Sequence, residues 1–130
     1  LDRVTLLGVN GWNHPDLLKS AGRFLNGRGV FVDGFFKDSN DQRVQRFVSD
    51  FTATFGEAPS ILSAQAYDTA RIFLESIFGG VSNRAQMKSH LMTVRNFPGV
   101  TGESTISSNG ETVKNLFALK VQKKKFVQIN

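Results

Sequence analysis

The sequence predicts an α/β fold, and three patterns carry that expectation. A strand, a helix and a strand follow one another in roughly the first 35 residues, consecutive amphipathic helices fill the middle, and antiparallel hairpins close the C-terminal end. Val4-Thr5-Leu6-Leu7 is a β-prone run closed by Gly8. Asn13-His14-Pro15-Asp16 then reads as a helix start, with Asn13 as cap and Pro15 in the first turn. Leu17, Leu18, Ala21, Phe24 and Leu25 follow at helical spacing, and Asn26-Gly27 is a stop signal. The segment Gly29 to Phe36 is apolar almost throughout, as expected of a strand covered on both faces. Strand, helix and strand at this spacing form a βαβ unit, so the two strands are expected to be parallel.

From Ser39 the period changes. Val44, Phe47, Val48, Phe51 and Phe55 recur at helical spacing and read as a core face, leaving Arg43, Gln45, Arg46 and Asp50 for solvent. Gly56-Glu57-Ala58-Pro59 ends this helix. Ser60 can cap the next, which runs through Ala64, Ala66, Tyr67, Ala70, Phe73, Leu74 and Ile77, small residues that permit close packing. Asn83 can cap a third helix with Met87, Leu91 and Val94, ending before Phe97-Pro98-Gly99. The remainder reads as β. Thr105-Ile106-Ser107 and Val113 to Leu119 flank an Asn109-Gly110 turn, and Leu116 to Val121 with Phe126 to Ile129 flank the turn at Lys123-Lys124-Lys125.

Size and composition narrow the function classes. The chain has 130 residues, 40% of them apolar and 21% charged, enough to bury a core. No apolar run approaches the roughly 20 residues of a spanning helix, and the start at Leu1-Asp2-Arg3 shows no charged-then-apolar signal pattern; any targeting segment is expected to have been removed or never included. Cysteine is absent, which excludes disulfides, thiolate metal sites and a Cys nucleophile. The net charge of +5 belongs to the second half: residues 1–70 carry seven basic and eight acidic side chains, residues 71–130 nine and three. The only basic cluster is the lysine turn, and no aromatics interleave with it, so a nucleic-acid partner is not expected.

Catalytic and cofactor motifs are scarce. His14 and His90 stand at a helix start and on a polar helix position, without a His-Glu-x-x-His pair or other ligand spacing, so neither a metal nor a cofactor is expected. Gly27-Arg28-Gly29 precedes a strand rather than joining a strand to a helix, and so lacks the context of a phosphate cradle. Asp38 and Asp41 suit helix capping. The chain reads as no enzyme. The most informative feature is Gly8-Val9-Asn10-Gly11-Trp12-Asn13, at the carboxyl end of a strand, where α/β sheets bind ligands. Asn10 offers donors and an acceptor, and Trp12, the single tryptophan, a broad apolar face. Ligand contact and a glycine-rich turn anchored by Trp12 are both open readings.

Several of these segments together resemble the C-terminal third of a type I periplasmic binding protein, the Leu/Ile/Val-binding family of ABC-transporter receptors. They are Leu6 to Trp12 before a helix, Gly29 to Phe36, Phe47 to Phe55 with Gly56 to Ser60, Ala64 to Ala70, Phe97 to Gly102, Asn109-Gly110-Glu111, and the final hairpin. The resemblance implies two α/β lobes that close on a small ligand. Residues 1–34 are then expected in the second lobe, 35–100 to form a crossover and the helices of the first, and 101–130 to return to the second. A complete member is more than twice as long, so the chain looks like a truncated product or proteolytic remnant; alone, it is expected to expose apolar faces and cover them by dimerisation.

The resemblance implies an extracytoplasmic, periplasmic or lipid-anchored receptor that passes an amino-acid-like ligand to an ABC permease. Its alternative is a lipoprotein domain that activates a cell-wall synthase. Asn10, Trp12 and Phe35 are the expected ligand contacts. In the amino-acid-binding members an acidic residue of this loop pairs with the ligand's α-ammonium; Asn10, at the matching position, accepts a hydrogen bond but supplies no charge. Phe35 and Phe36 lie where the chain would cross between lobes, one lining the cleft and the other packing beneath it. Tyr67 and Asp68 read as structural, on a helix crowded with Ala and Phe.

Overall fold

The computed structural model describes residues 4–130, so the N-terminal Leu1-Asp2-Arg3 lies outside the described residues. The elements run β1 (Leu6–Gly8), a 3-10 turn (Asn10–Trp12), α1 (Pro15–Leu25), β2 (Gly29–Asp33), α2 (Gln42–Phe55), α3 (Ile61–Phe78), α4 (Arg84–Leu91), β3 (Phe97–Gly99), β4 (Gly102–Ile106), β5 (Thr112–Lys114), β6 (Phe117–Gln122) and β7 (Lys125–Gln128). They form two compact units. Among the described residues, one holds 4–36 and 116–130, the other 37–115.

The first unit is built on a sheet of order β1-β2-β6-β7. β1 and β2 are parallel, with Gly8 opposite Phe31, as the βαβ spacing predicts. β6 joins β2 antiparallel and β7 joins β6 through the expected lysine turn. Lys123 and Lys124 have φ of 49° and 59°, the left-handed pair of a two-residue hairpin loop, and the Lys123 amide donates to Asn26 Oδ1 at 2.6 Å. Leu25, Phe31, Phe36, Leu119 and Val121 form the core, with Leu6, Leu17, Leu18, Ala21 and Phe126 packed around them. Phe126 meets Phe31 edge-on at 5.2 Å, the favoured arrangement of two ring quadrupoles. Two details differ from expectation. β2 stops at Asp33 rather than continuing to Phe36, and it is covered on one face only: Phe31 is buried, whereas Val32 is 44% exposed. Leu17, Leu18, Ala21 and Leu25 of α1 join the same apolar cluster as Phe31.

In the second unit Asp41 caps α2, its carboxylate accepting from the Arg43 amide at 2.8 Å while the Arg43 guanidinium pairs with it. Val44 and Phe47 of the predicted stripe are buried, and Phe47, Phe51 and Phe55 stack in sequence at 5.7 and 4.5 Å. Phe55, at the end of the stripe, is exposed. Ser60 and Asn83 cap α3 and α4 as their positions predict. α3 departs further from expectation. Its buried positions are Ala64, Asp68 and Ser76, while Leu62, Phe73, Leu74, Ile77 and Phe78 stand exposed. At Asp68 the neighbour of α3 is main chain, the Val100 and Thr101 amides, which a hydrogen-bonding side chain can meet.

Asp68 shows how. The carboxylate is 2% exposed and accepts from the Val100 amide at 2.8 Å, the Thr101 amide at 2.9 Å and the Thr101 hydroxyl at 2.6 Å. Lys114 Nζ donates in turn to that hydroxyl. A Cβ on Gly99 would lie inside the van der Waals radius of the Asp68 carboxylate, so only glycine permits this approach. Arg71, one turn on, stacks its guanidinium on the Phe97 ring at 4.9 Å. Phe97-Pro98-Gly99 is thereby held as β3, a strand the sequence reading missed. It is the edge of the β3-β4-β5 sheet, where proline is tolerated because the outer side of an edge strand needs no donor. Residues 101–115 cluster with this unit. The expected strand from Val113 to Leu119 is correspondingly broken: Asn115 still donates to the Glu103 carbonyl, while the Leu116 carbonyl accepts from Asn130.

Two outcomes follow. Asp68→Ala strands three buried donors and should cost about 3 kcal/mol or more in urea unfolding; a loss below about 1 kcal/mol would show the contact to be dispensable. The hydrogen bond from the Arg43 side chain, followed by that from its amide, holds the Asp41 carboxyl below the usual carboxylate range. A carboxyl lowered in the folded state contributes stability above its unfolded pKa of about 4, and that contribution disappears as pH falls through the folded value. The melting temperature should therefore drop below about pH 4, and Asp41→Asn should flatten part of that drop.

Candidate functional site

The parallel pair β1 and β2 brings its two carboxyl ends together, since Gly8 lies opposite Phe31 and both chains run the same way. After Gly8 the Trp12 ring folds back over the chain: a Cβ at Gly8 would collide with the ring. The result is the 3-10 turn at Asn10–Trp12, closed by the Trp12 amide on the Val9 carbonyl and the Asn13 amide on the Asn10 carbonyl, both at 2.9 Å.

This turn sorts the expected contacts. Asn10 is exposed at its start. Trp12 is half-buried, tilted against Phe31 with ring centroids 6.3 Å apart and packed beside the core, so its ring serves as the anchor of the turn. Phe35, expected to line a cleft, is 3% exposed. What it presents to the site is its carbonyl, which accepts from Asn13 Nδ2 at 3.0 Å. Phe36 packs in the core of the first unit.

Sequence reasoning missed two residues here. Asn13, read as the cap of α1, instead turns its amide inward to Asp33 Oδ2 at 2.7 Å and to the Phe35 carbonyl. The cap passes to His14, whose Nδ1 accepts from the Asp16 amide at 3.3 Å. Lys19 then holds the exposed Asp16 carboxyl below its ordinary value, first by hydrogen bond and then by charge. Asp33 is the second residue, a buried carboxylate at the very end of β2. The available signal was a single acid in an otherwise apolar strand, since an ionised carboxylate is almost never buried without a partner.

Tyr67 and Asp68 occupy structural positions in the other unit. Tyr67 is 41% exposed and stacks on Phe47 at 4.7 Å, and Asp68 is used up by Val100 and Thr101. That unit also has an open depression of about 510 Å³ beside the end of α3 and α4, lined in part by Gly79, Val81, Ser89 and His90. Its Gln86 side chain is already bonded to Ser82, and no expected contact lies in it.

Gly8→Ala tests how the turn is held. The methyl group must displace the Trp12 ring, so the variant should lose about 1–3 kcal/mol and shift tryptophan emission to longer wavelength. Unchanged emission would show that the ring does not rest on Gly8.

Comparison with known proteins places this geometry. A profile described as periplasmic binding protein matches residues 1–125. A branched-chain amino acid ABC transporter protein from Rhodospirillum rubrum, described in its structure as putative, superposes with a TM-score of 0.91 at 24% identity, over 98% of this chain and 37% of its own. An ABC transporter substrate-binding protein from Desulfitobacterium hafniense, in complex with Leu, gives 0.74 at 21% identity, over 98% of this chain and 36% of its own. A solute-binding protein from R. palustris, in complex with benzoate, gives 0.68 at 20% identity, over 96% and 35%. Comparison with the curated proteins finds no match. The chain thus spans little more than a third of the solved proteins it resembles, and the match of 125 of its residues shows that it belongs to the periplasmic binding protein family.

Proposed function

We propose that the chain is part of an extracytoplasmic solute receptor that holds a small polar ligand of the amino-acid class and presents it to an ABC permease. The observation that carries this reading is the exposed Asn10 on a turn at the carboxyl ends of the parallel strands β1 and β2, in a chain of this family. Residues 1–36 with 116–130 contribute to one lobe and residues 37–115 to the other, and the receptor works by closure around its ligand. Nothing in such binding requires a reaction. The Asn10 amide supplies both a donor and an acceptor to the ligand, half-buried Trp12 follows it on the same turn, and the packing of Trp12 on the core holds that turn in place before the ligand arrives. Pre-ordering of this kind favours affinity because the turn loses little freedom on binding.

Isothermal calorimetry on the full-length protein, with the proteinogenic amino acids and their deaminated acids as ligands, tests this. At least one of them should bind with 1:1 stoichiometry. Asn10→Ala should then weaken that binding about five- to tenfold, the worth of one neutral hydrogen bond. Unaltered affinity in the variant would remove Asn10 from the site, and heat-silent titrations with every member of the panel would overturn the receptor reading.

A further inference from the structure

The chain contains three Asn-Gly pairs: Asn10-Gly11, Asn26-Gly27 and Asn109-Gly110. In each, a side-chain amide stands one residue before a main-chain nitrogen that no Cβ shields, the pairing in which asparagine most readily cyclises and loses ammonia. The attack needs that nitrogen free and the peptide between the two residues able to turn. All three asparagines are exposed, so what separates them is the hydrogen bonds that hold each pair.

Asn26 and Asn109 are held at both reacting groups. The Gly27 amide donates to the Val121 carbonyl at 2.8 Å, and Asn26 Oδ1 accepts from the Lys123 amide at 2.6 Å. The Gly110 amide donates to the Ser107 carbonyl at 3.0 Å, and Asn109 Oδ1 accepts from the Glu111 amide at 3.2 Å and from the Ser107 hydroxyl. Asn10-Gly11 differs. Among the described residues neither the Gly11 amide nor the Asn10 side chain has a hydrogen-bond partner, and the bond that restrains the pair runs from the Asn13 amide to the Asn10 carbonyl.

The glycines supply a second observation. Gly27 and Gly110 have φ of 78° and 86°, where a side chain is strained, so their turns require glycine. Gly11 has no such φ, and a Cβ built on it meets no atom within 4 Å. Neither backbone conformation nor packing within the described residues calls for glycine there. What Gly11 gives Asn10 is a neighbouring nitrogen that is both unhindered and unbonded.

We propose that Asn10 is a self-modifying site, converted through a cyclic imide to aspartate and isoaspartate ahead of the other two Asn-Gly pairs. The Gly11 nitrogen gives up its proton to water and bonds to Asn10 Cγ; the Cγ–Nδ2 bond breaks, and the departing nitrogen takes up a proton and leaves as ammonia. Water then opens the five-membered ring at one of its two carbonyls. Water enters, ammonia departs, and nothing is oxidised or reduced. The exposed turn thereby exchanges a neutral amide for a carboxylate, and in the isoaspartyl product the main chain between residues 10 and 11 gains a carbon. The conversion is independent of what the turn binds, so its failure and that of the receptor reading are separate results.

The experiment is timed incubation of the full-length protein in mildly alkaline buffer, followed by digestion and mass spectrometry of the three peptides. The Asn10 peptide should gain the amide-to-acid mass difference at least about fivefold faster than the other two, since each of those must first break at least one more hydrogen bond. It should resolve into aspartyl and isoaspartyl forms, the mark of the imide. In urea-unfolded protein the three rates should converge. Gly11→Ala should slow conversion at Asn10 several-fold, while the rates at Asn26 and Asn109 and the melting temperature stay as they were. A lead by Asn26 or Asn109, the same spread of rates in the unfolded chain, or an Asn10 rate indifferent to Gly11→Ala overturns the proposal. If Gly11→Ala does not fold, the order of rates in folded and unfolded wild type decides alone.

Discussion

Much of the unit formed by residues 37–115 depends on one carboxylate. Asp68 gathers two consecutive main-chain amides and a hydroxyl from Val100 and Thr101, across 32 and 33 positions of sequence. A carboxylate in that setting has its desolvation offset by donors aimed at it, and the donors in turn have no other acceptor. The consequences spread outward. Gly99 must lack a side chain, β3 forms although it contains a proline, and hydrogen bonds to Asp68 fasten the chain beside β3 to α3. Leu62, Phe73, Leu74, Ile77 and Phe78 of α3 stay exposed.

The other unit places a buried carboxylate in a different setting. There the core is apolar and continuous from α1 through Phe31 to β6 and β7, and it needs no polar fastening. Asp33 stands at the edge of that core with one of its two oxygens hydrogen-bonded among the described residues. The contrast between the two acids is informative: Asp68 is saturated by main chain within its own unit, as a structural acid is, whereas Asp33 retains an open oxygen where parallel strands end. Burial alone does not distinguish the two; the account of donors does.

Much of the fold was legible in the sequence because it depends on short-range patterns. The parallel β1-β2 pair, the caps at Ser60 and Asn83, and the two final hairpins follow from hydrophobic period, capping chemistry and turn residues within a few positions of each other. β3 was not legible, since Phe-Pro-Gly has no strand signature of its own and pairs only because Asp68 and Arg71 hold it in place. Nor was the break at Asn115, where an apparently continuous strand divides between two sheets. At the site, the position of the Asn10 turn followed from the strand end before it. The roles of Asn13, Trp12 and Phe35 did not, because each depends on a partner about 20 residues away: Asp33 for Asn13, Phe31 for Trp12, and Asn13 for the Phe35 carbonyl.

By itself, then, the sequence determined the α/β class, the family resemblance later matched over residues 1–125, and the loop that carries the candidate site. These are properties of local spacing and residue order, which the chain carries whether folded or not. Tertiary structure alone decided which polar groups are spent and which are open. Asn13 could equally have capped a helix, and Asp33 could have been a solvated strand end. Only the packing of β2 against α1 and the fold-back of Trp12 over Gly8 bring the amide to the carboxylate, and hydrogen-bond satisfaction is a property of the donors and acceptors a fold brings within reach, not of their spacing along the chain.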